Sequence, residues 1–196
     1  MGFAAACNNA VLMASSPRIA FLDGRDAWHP EKIAKQAAYH RNNPGVAISY
    51  TDEVRSGEAA KPQNAGKLSF VECLSQCRIP FSSVLAEKKA LEAAGLFDET
   101  LPLCADFDLW LRLLEKGEIG FVDQKLVIIQ DRTEEERERW CVRALEKHLD
   151  GPHEAAVRDE LIRRYEKLLE AAHAKNAPEE EGVYAARLQQ LRMGID

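Results

Sequence analysis

One stretch constrains this chain more than any other. Ile19-Ala20-Phe21-Leu22 is followed at once by Asp23-Gly24-Arg25-Asp26, then Trp28 and Pro30. A short apolar run bounded by turn residues has the pattern of a buried strand. Proline pre-sets φ for a first helical turn, and Glu31 beside it favours the helix dipole. The stretch therefore reads as strand 18–22, acidic turn, then a helix to Asn42 that Asn43-Pro44-Gly45 stops. In open α/β sheets such a turn lies at the carboxyl end of a strand, where ligands bind. The fold class expected is α/β.

The pattern continues along the chain. Ala-rich residues 3–14 predict a helix before the first strand. Val46–Tyr50 predicts a second buried strand, ending in Thr51-Asp52-Glu53. Residues 55–66 lack periodicity and read as a loop, followed by a short strand at 67–69 and a helix at 70–76. Ile79–Leu85 reads as extended chain with a turn, Glu87–Ala94 as a helix closed by Gly95, and Asp106–Lys116 as an amphipathic helix ended by Gly117. Ile119–Val122 and Leu126–Ile129 read as two short strands.

After Asp131 the composition turns highly charged. Thr133-x-x-Glu136 has capping-box spacing, and breaks at Asp150-Gly151-Pro152 and Asn176-Ala177-Pro178 predict three helices. One carries an apolar stripe of Leu161, Tyr165, Leu168, Leu169 and Ala172. The expected organisation is an α/β core at 1–130 and a helical tail at 131–196.

Charge and composition exclude several classes of function. A net charge of −6 over 196 residues argues against a nucleic-acid partner, which wants a basic face. No apolar run reaches membrane-spanning length. Met1–Ala6 has no basic start, so it does not read as a secretory signal, and Ala6 breaks the myristoylation pattern after Gly2. The five cysteines, Cys7, Cys73, Cys77, Cys104 and Cys141, are odd in number and scattered, as reduced thiols of a cytoplasmic protein are. Cys73-x-x-x-Cys77 suits one helix face better than half a metal site. The histidines at 40, 148, 153 and 173 are expected on charged helical surfaces, and His29 on a solvated loop.

Several segments agree, in order, with one known family. Cys7-Asn8-Asn9-Ala10 resembles an Ala-Arg-Asn helix start, and Asp23-Gly24-Arg25-Asp26-Ala27-Trp28 resembles Asp-Ser-Asp-Asp-x-Trp. Pro80-Phe81-Ser82-Ser83-Val84 resembles Pro-Ser-Ser-Val. Gly95–Pro102 resembles Gly-x-Phe-Asp-Glu-x-Leu-Pro, and Cys104–Arg112 resembles Cys-Glu-Asp-Tyr-Asp-Leu-Trp-Leu-Arg. Across residues 4–129 the chain resembles glycosyltransferase family 2, whose nucleotide-sugar fold is called GT-A. The resemblance implies a partial GT-A sheet with flanking helices and a nucleotide-sugar donor as partner. It also implies a divalent cation, manganese or magnesium, on Asp23 and Asp26, with Asp23, Arg25 and Asp26 on the donor side. Asp106 is the base that the resemblance implies.

The same resemblance has gaps. The family's Val-Ile-Pro-Thr-Tyr-Asn strand and its Asp-Asp-Gly-Ser strand do not precede this region, so the chain reads as N-terminally truncated. Cys7 stands at the family's arginine, Arg25 at the second acid of Asp-x-Asp, and Ala105 at a glutamate. Gln130-Asp131-Arg132 replaces a Gly-Gly-His segment. A guanidinium at position 25 repels a divalent cation, yet is able to pair with phosphate. These departures predict weak or no transfer by the isolated chain. They leave open a binding or scaffolding role, or one half of a split enzyme. An uncovered sheet edge would call for a homo-oligomer or a partner chain. For each site residue a structural role stays open: a salt-bridged strand end for Asp23 and Asp26, helix capping for Asp106, and core anchoring for Trp28 and Trp110.

Overall fold

The computed structural model describes residues 2–55, 68–76, 79–117, 119–130 and 135–195. The expected loop at 55–66, Cys77, and the start of the capping box at Thr133 and Glu134 lie outside them, Arg55 apart. The chain divides into two compact units, Met1–Arg132 and Thr133–Asp196.

The first unit is a mixed α/β layer. Helix α1 (Phe3–Met13) leads to β1 (Arg18–Ala20), and β2 (Ala27–Trp28) precedes α2 (Lys32–Asn42). Then come β3 (Ile48–Arg55), α3 (Phe70–Gln76), a 3-10 turn at Phe81–Ser83, and β4 (Leu85–Glu87). Helices α4 (Lys88–Ala93) and α5 (Ala105–Lys116) precede β5 (Ile119–Ile129). The strand order is β1-β4-β3-β5-β2. Only β3 and β5 run parallel among the described pairs; β1 with β4, β3 with β4, and β2 with β5 are antiparallel.

Two sequence expectations are corrected here. The strands expected at 119–122 and 126–129 are one continuous strand, β5. The polar residues Asp123, Gln124 and Lys125 do not form a turn. The ladder with β3 shifts register between Thr51 and Asp52 and again between Asp52 and Glu53, and these irregularities absorb the extra β5 residues. Residues 68 and 69 are not strand; they lead directly into α3, where Ser69 and Glu72 exchange hydrogen bonds across the first turn.

The core of this unit is aromatic. Phe21 and Phe97 each lie with ring centroids 4.9–6.2 Å from Phe81 and Trp110 and 5.4 Å from each other, and Phe3 joins at 5.0 Å from Phe81. Burying each such ring contributes about 1.5–3 kcal/mol. The cluster fastens α1, the end of β1, the 3-10 turn and α5 to one another. Trp110 is fully buried, in keeping with core anchoring.

Helix α2 meets the sheet differently. Its buried residues are Lys32, Gln36 and His40, one turn apart on one face. Gln36 Nε2 donates to the carbonyls of Ser49 and Ser83, both at 3.0 Å. His40 Nδ1 lies 3.2 Å from Glu87 Oε1, and its Nε2 lies 3.0 Å from the Ser49 hydroxyl. Glu87 also takes Arg18 Nε at 2.6 Å. Burial, the largest influence, holds the His40 pKa below its ordinary value. The expectation of a surface His40 is thus wrong, because the sheet-facing side of α2 is built from polar groups with directional partners. His148, also expected at the surface, is buried as well.

The second unit comprises α6 (Glu135–Glu146), α7 (Glu154–Ala174) and α8 (Pro178–Met193). Leu161, Tyr165, Leu168 and Ala172 of the α7 stripe are buried. Arg164 joins Glu138 and Glu160 at 2.9 and 2.8 Å. Glu146 accepts from the Tyr165 hydroxyl and from Arg187 Nε, both at 2.9 Å.

Candidate functional site

The acidic turn after β1 is organised by one serine. Ser82 is fully buried in the 3-10 turn. Its Oγ accepts the Asp23 N–H at 2.9 Å and donates to Asp26 Oδ2 at 2.6 Å. Its carbonyl accepts the Trp28 indole N–H at 2.7 Å. Three residues of the turn thereby converge on Ser82. The other Asp26 oxygen accepts the Gln130 N–H at 3.2 Å, which ties the turn to the end of β5.

Arg25 lies between the two acids and reaches back to the first. Its backbone N–H and its Nε both donate to Asp23 Oδ1, at 3.0 and 3.3 Å. The guanidinium side chain is 62% exposed. A divalent cation is held best where carboxylate lone pairs are open to it and no guanidinium competes for them. Here Asp26 has both oxygens hydrogen-bonded, and Asp23 faces a guanidinium. Among the described residues no group of three His, Cys, Asp or Glu side chains is placed to hold a metal ion. The arrangement does not fit a divalent cation on Asp23 and Asp26.

Below the turn is a second unusual group. Lys32 opens α2, is fully buried, and its Nζ lies 4.5 Å from the centre of the Trp28 ring. Among the described residues that Nζ has no hydrogen-bond partner. Burial pushes its pKa down to about 7. The sequence reading missed Lys32, and the only signal was the 32, 36, 40 spacing in a helix otherwise poor in apolar residues.

Asp106 sits in the first turn of α5, half-buried, with Oδ1 accepting the Phe107 N–H at 2.9 Å. The residue ahead of the helix, Cys104, is held in the left-handed region at φ 61°. Such a conformation costs a non-glycine residue of order 1–3 kcal/mol and is over-determined by its surroundings. Here Asp108 is buried and takes Arg112 Nη2 at 2.6 Å. Arg112 in turn donates to the carbonyls of Ala94 and Leu96. That pair locks the turn at Gly95 and Leu96, where φ is 89° and 61°.

Cys7 of α1 faces this corner. Burial first, and the Asp106 charge second, push its thiol up to about 11. A neutral thiol therefore stands beside Asp106. The neighbouring Asn8 is a clamp: its amide exchanges two 2.9 Å hydrogen bonds with the Phe97 backbone and donates to Glu99 at 2.9 Å. Asp23, Arg25, Asp26, Trp28 and Ser82 form one hydrogen-bonded group. The Asp106 charge disfavours the Cys7 thiolate.

No family model matches the chain. It is 28% identical over 130 residues to an uncharacterized glycosyltransferase of Rickettsia felis, matching 64% of this chain and 21% of that one. It is 31% identical over 124 residues to WfaP of Escherichia coli, a UDP-Glc:alpha-D-GlcNAc-diphosphoundecaprenol beta-1,3-glucosyltransferase, matching 59% of this chain and 46% of that one. In fold it is similar to Staphylococcus aureus TarS, with a TM-score of 0.62 and 14% identity, over 83% of this chain and 30% of that one. It is also similar to the mannosyltransferase PcManGT of Pyrobaculum calidifontis, solved with GDP-Man and Mn2+. There the TM-score is 0.53 and the identity 16%, over 98% of this chain and 62% of that one. In fold, and over part of its sequence, the chain is similar to GT-A-like glycosyltransferases. It spans about a fifth of the Rickettsia relative and under half of the Escherichia coli one. The acidic turn, the Ser82 turn and the start of α5 hold the segments that resemble family 2. No described helix is long and apolar enough to cross a membrane.

Proposed function

We propose that the chain supplies the diphosphate-facing and base-facing parts of a nucleotide-sugar glycosyltransferase site, with weak transfer by this chain alone. The observation that carries the reading is the convergence of Asp23, Asp26 and Trp28 on Ser82, which builds a rigid corner at the carboxyl end of β1. In this reading the acceptor hydroxyl oxygen attacks the anomeric carbon. The bond from that carbon to the diphosphate oxygen breaks, and the hydroxyl proton passes to the Asp106 carboxylate. Cys7, standing where the resembling family carries an arginine, supports weak rather than efficient catalysis, because a neutral thiol adds no positive charge to the site.

Calorimetric titration with uridine, guanosine and thymidine diphosphates tests this, followed by transfer assays with the matching nucleotide sugars. Micromolar binding of one nucleotide is the expected result. No heat with any of the three overturns the donor-site reading.

A second reading concerns assembly. β1 is an edge of the described sheet, and Phe3, Leu12 and Met13 of α1 and Leu22 just after β1 are 45–86% exposed. Exposed edges and apolar side chains favour cover by another chain. A second copy of this protein is the cover we propose, and a monomeric mass by light scattering at micromolar concentration overturns it. The odd number and scattered spacing of the five cysteines support a reducing, cytoplasmic setting.

A further inference from the structure

Resting on the donor-site reading above, we propose that Arg25 takes the place of a metal ion at this corner, so that nucleoside diphosphates bind without a divalent cation. Three observations converge on it. First, each Asp26 oxygen is already engaged, by Ser82 at 2.6 Å and by the Gln130 N–H at 3.2 Å, so Asp26 is turned to the protein and is a poor partner for a shared cation. Second, a guanidinium lies 3.3 Å from Asp23 and is itself a local positive charge. Third, that guanidinium is available. Its side chain is 62% exposed, and among the described residues only its Nε is hydrogen-bonded, to Asp23 at 3.3 Å.

An exposed ion pair of that length is weak. Exchanging it for a diphosphate gains two parallel N–H···O bonds from the guanidinium fork, which a single contact to Asp23 lacks. The backbone is already set for the exchange. The Arg25 N–H holds Asp23 at 3.0 Å and the Asp26 N–H holds the Asp23 carbonyl at 2.9 Å, so the tight turn projects the side chain outward. Gly24 adds no side chain that would block the approach. The ligand class is a nucleoside diphosphate or its sugar ester, bound through the diphosphate.

The test is titration of the whole chain with uridine and guanosine diphosphate, once in EDTA and once in manganese. Equal affinity in the two buffers is expected for the wild type. Arg25→Ala should lose at least tenfold, and Arg25→Lys should fall between, since an ammonium lacks the fork. Arg25→Asp, which restores an acid-x-acid pair, should bind only in manganese. Lys35→Ala, which removes a surface cation paired with Glu31, serves as the charge control and should bind as the wild type does. Near-ultraviolet circular dichroism of each variant checks folding. Wild-type binding seen only in manganese, or Arg25→Ala binding undiminished, overturns the proposal while leaving the donor site standing. Absence of binding by the folded wild type in both buffers overturns the donor-site reading, and the role of Arg25 falls with it.

Discussion

The Ser82 hydroxyl donates to Asp26 at 2.6 Å while the same oxygen accepts the Asp23 N–H at 2.9 Å. One buried oxygen thus fixes both ends of the acidic turn. Ser82→Ala leaves the Asp23 N–H and one Asp26 oxygen without this partner. The expected loss is about 2–3 kcal/mol of stability, read by urea denaturation, together with loss of nucleotide affinity. A variant as stable as the wild type would mean that the turn holds its shape without Ser82.

Lys32 gives the fold a defined pH dependence. Burial lowers its pKa from 10.5 to about 7, so between those values the unfolded chain binds a proton that the folded chain does not. Stability then rises with pH from about 7 towards 10.5, and the full cost of burying the charge applies below 7. Lys32→Met keeps the length of the side chain and removes the charge. It should stabilise the protein by a few kcal/mol, on the order of the shift itself, at pH 6. The advantage should shrink steadily towards pH 10, as thermal unfolding across that range will read.

Asp106 and Cys7 are coupled, and each reports on the other. Asp106→Asn removes the smaller of the two influences on the thiol, so its pKa falls below about 11 but stays above the ordinary 9.0, because burial remains. Alkylation of Cys7 followed by mass spectrometry against pH should show the midpoint moving down. In the transfer assay the same variant should lose roughly 10²–10⁴-fold in rate with nucleotide affinity unchanged.

Asn8 joins α1 to the loop that precedes α5. Asn8→Ala leaves the Phe97 N–H and carbonyl without partners in a buried setting. The expected cost is about 2–4 kcal/mol, measured as a lowered denaturation midpoint with an unchanged slope.

The strand-turn-helix at 18–42 was legible because its signals are local: an apolar run, a glycine-containing turn, and a proline before a helix. The α/β class followed from that pattern, and helices α1, α4, α5, α7 and α8 followed from their own punctuation. Partners across the chain were not legible. Ser82 lies 56 residues from Asp26, and no periodicity in either segment announces the bond. The α2 face misled for a different reason. Hydrophobic patterning assumes that buried means apolar, whereas Lys32, Gln36 and His40 are buried polar groups. The continuity of β5 was hidden because a bulged strand and two strands with a turn share the same polar interruption.

That polar face of α2 has a further bearing on how the molecule is specified. An oily interface tolerates sliding, since one methyl group replaces another at little cost. Gln36 and His40 instead meet Ser49, Ser83 and Glu87 atom for atom, and a rotation of the helix by one residue would break every such pairing at once. The helix is keyed to the sheet like a tumbler in a lock. Its angular setting, and with it the attitude of Trp28 at the helix entrance, is chosen by directional bonds rather than by volume.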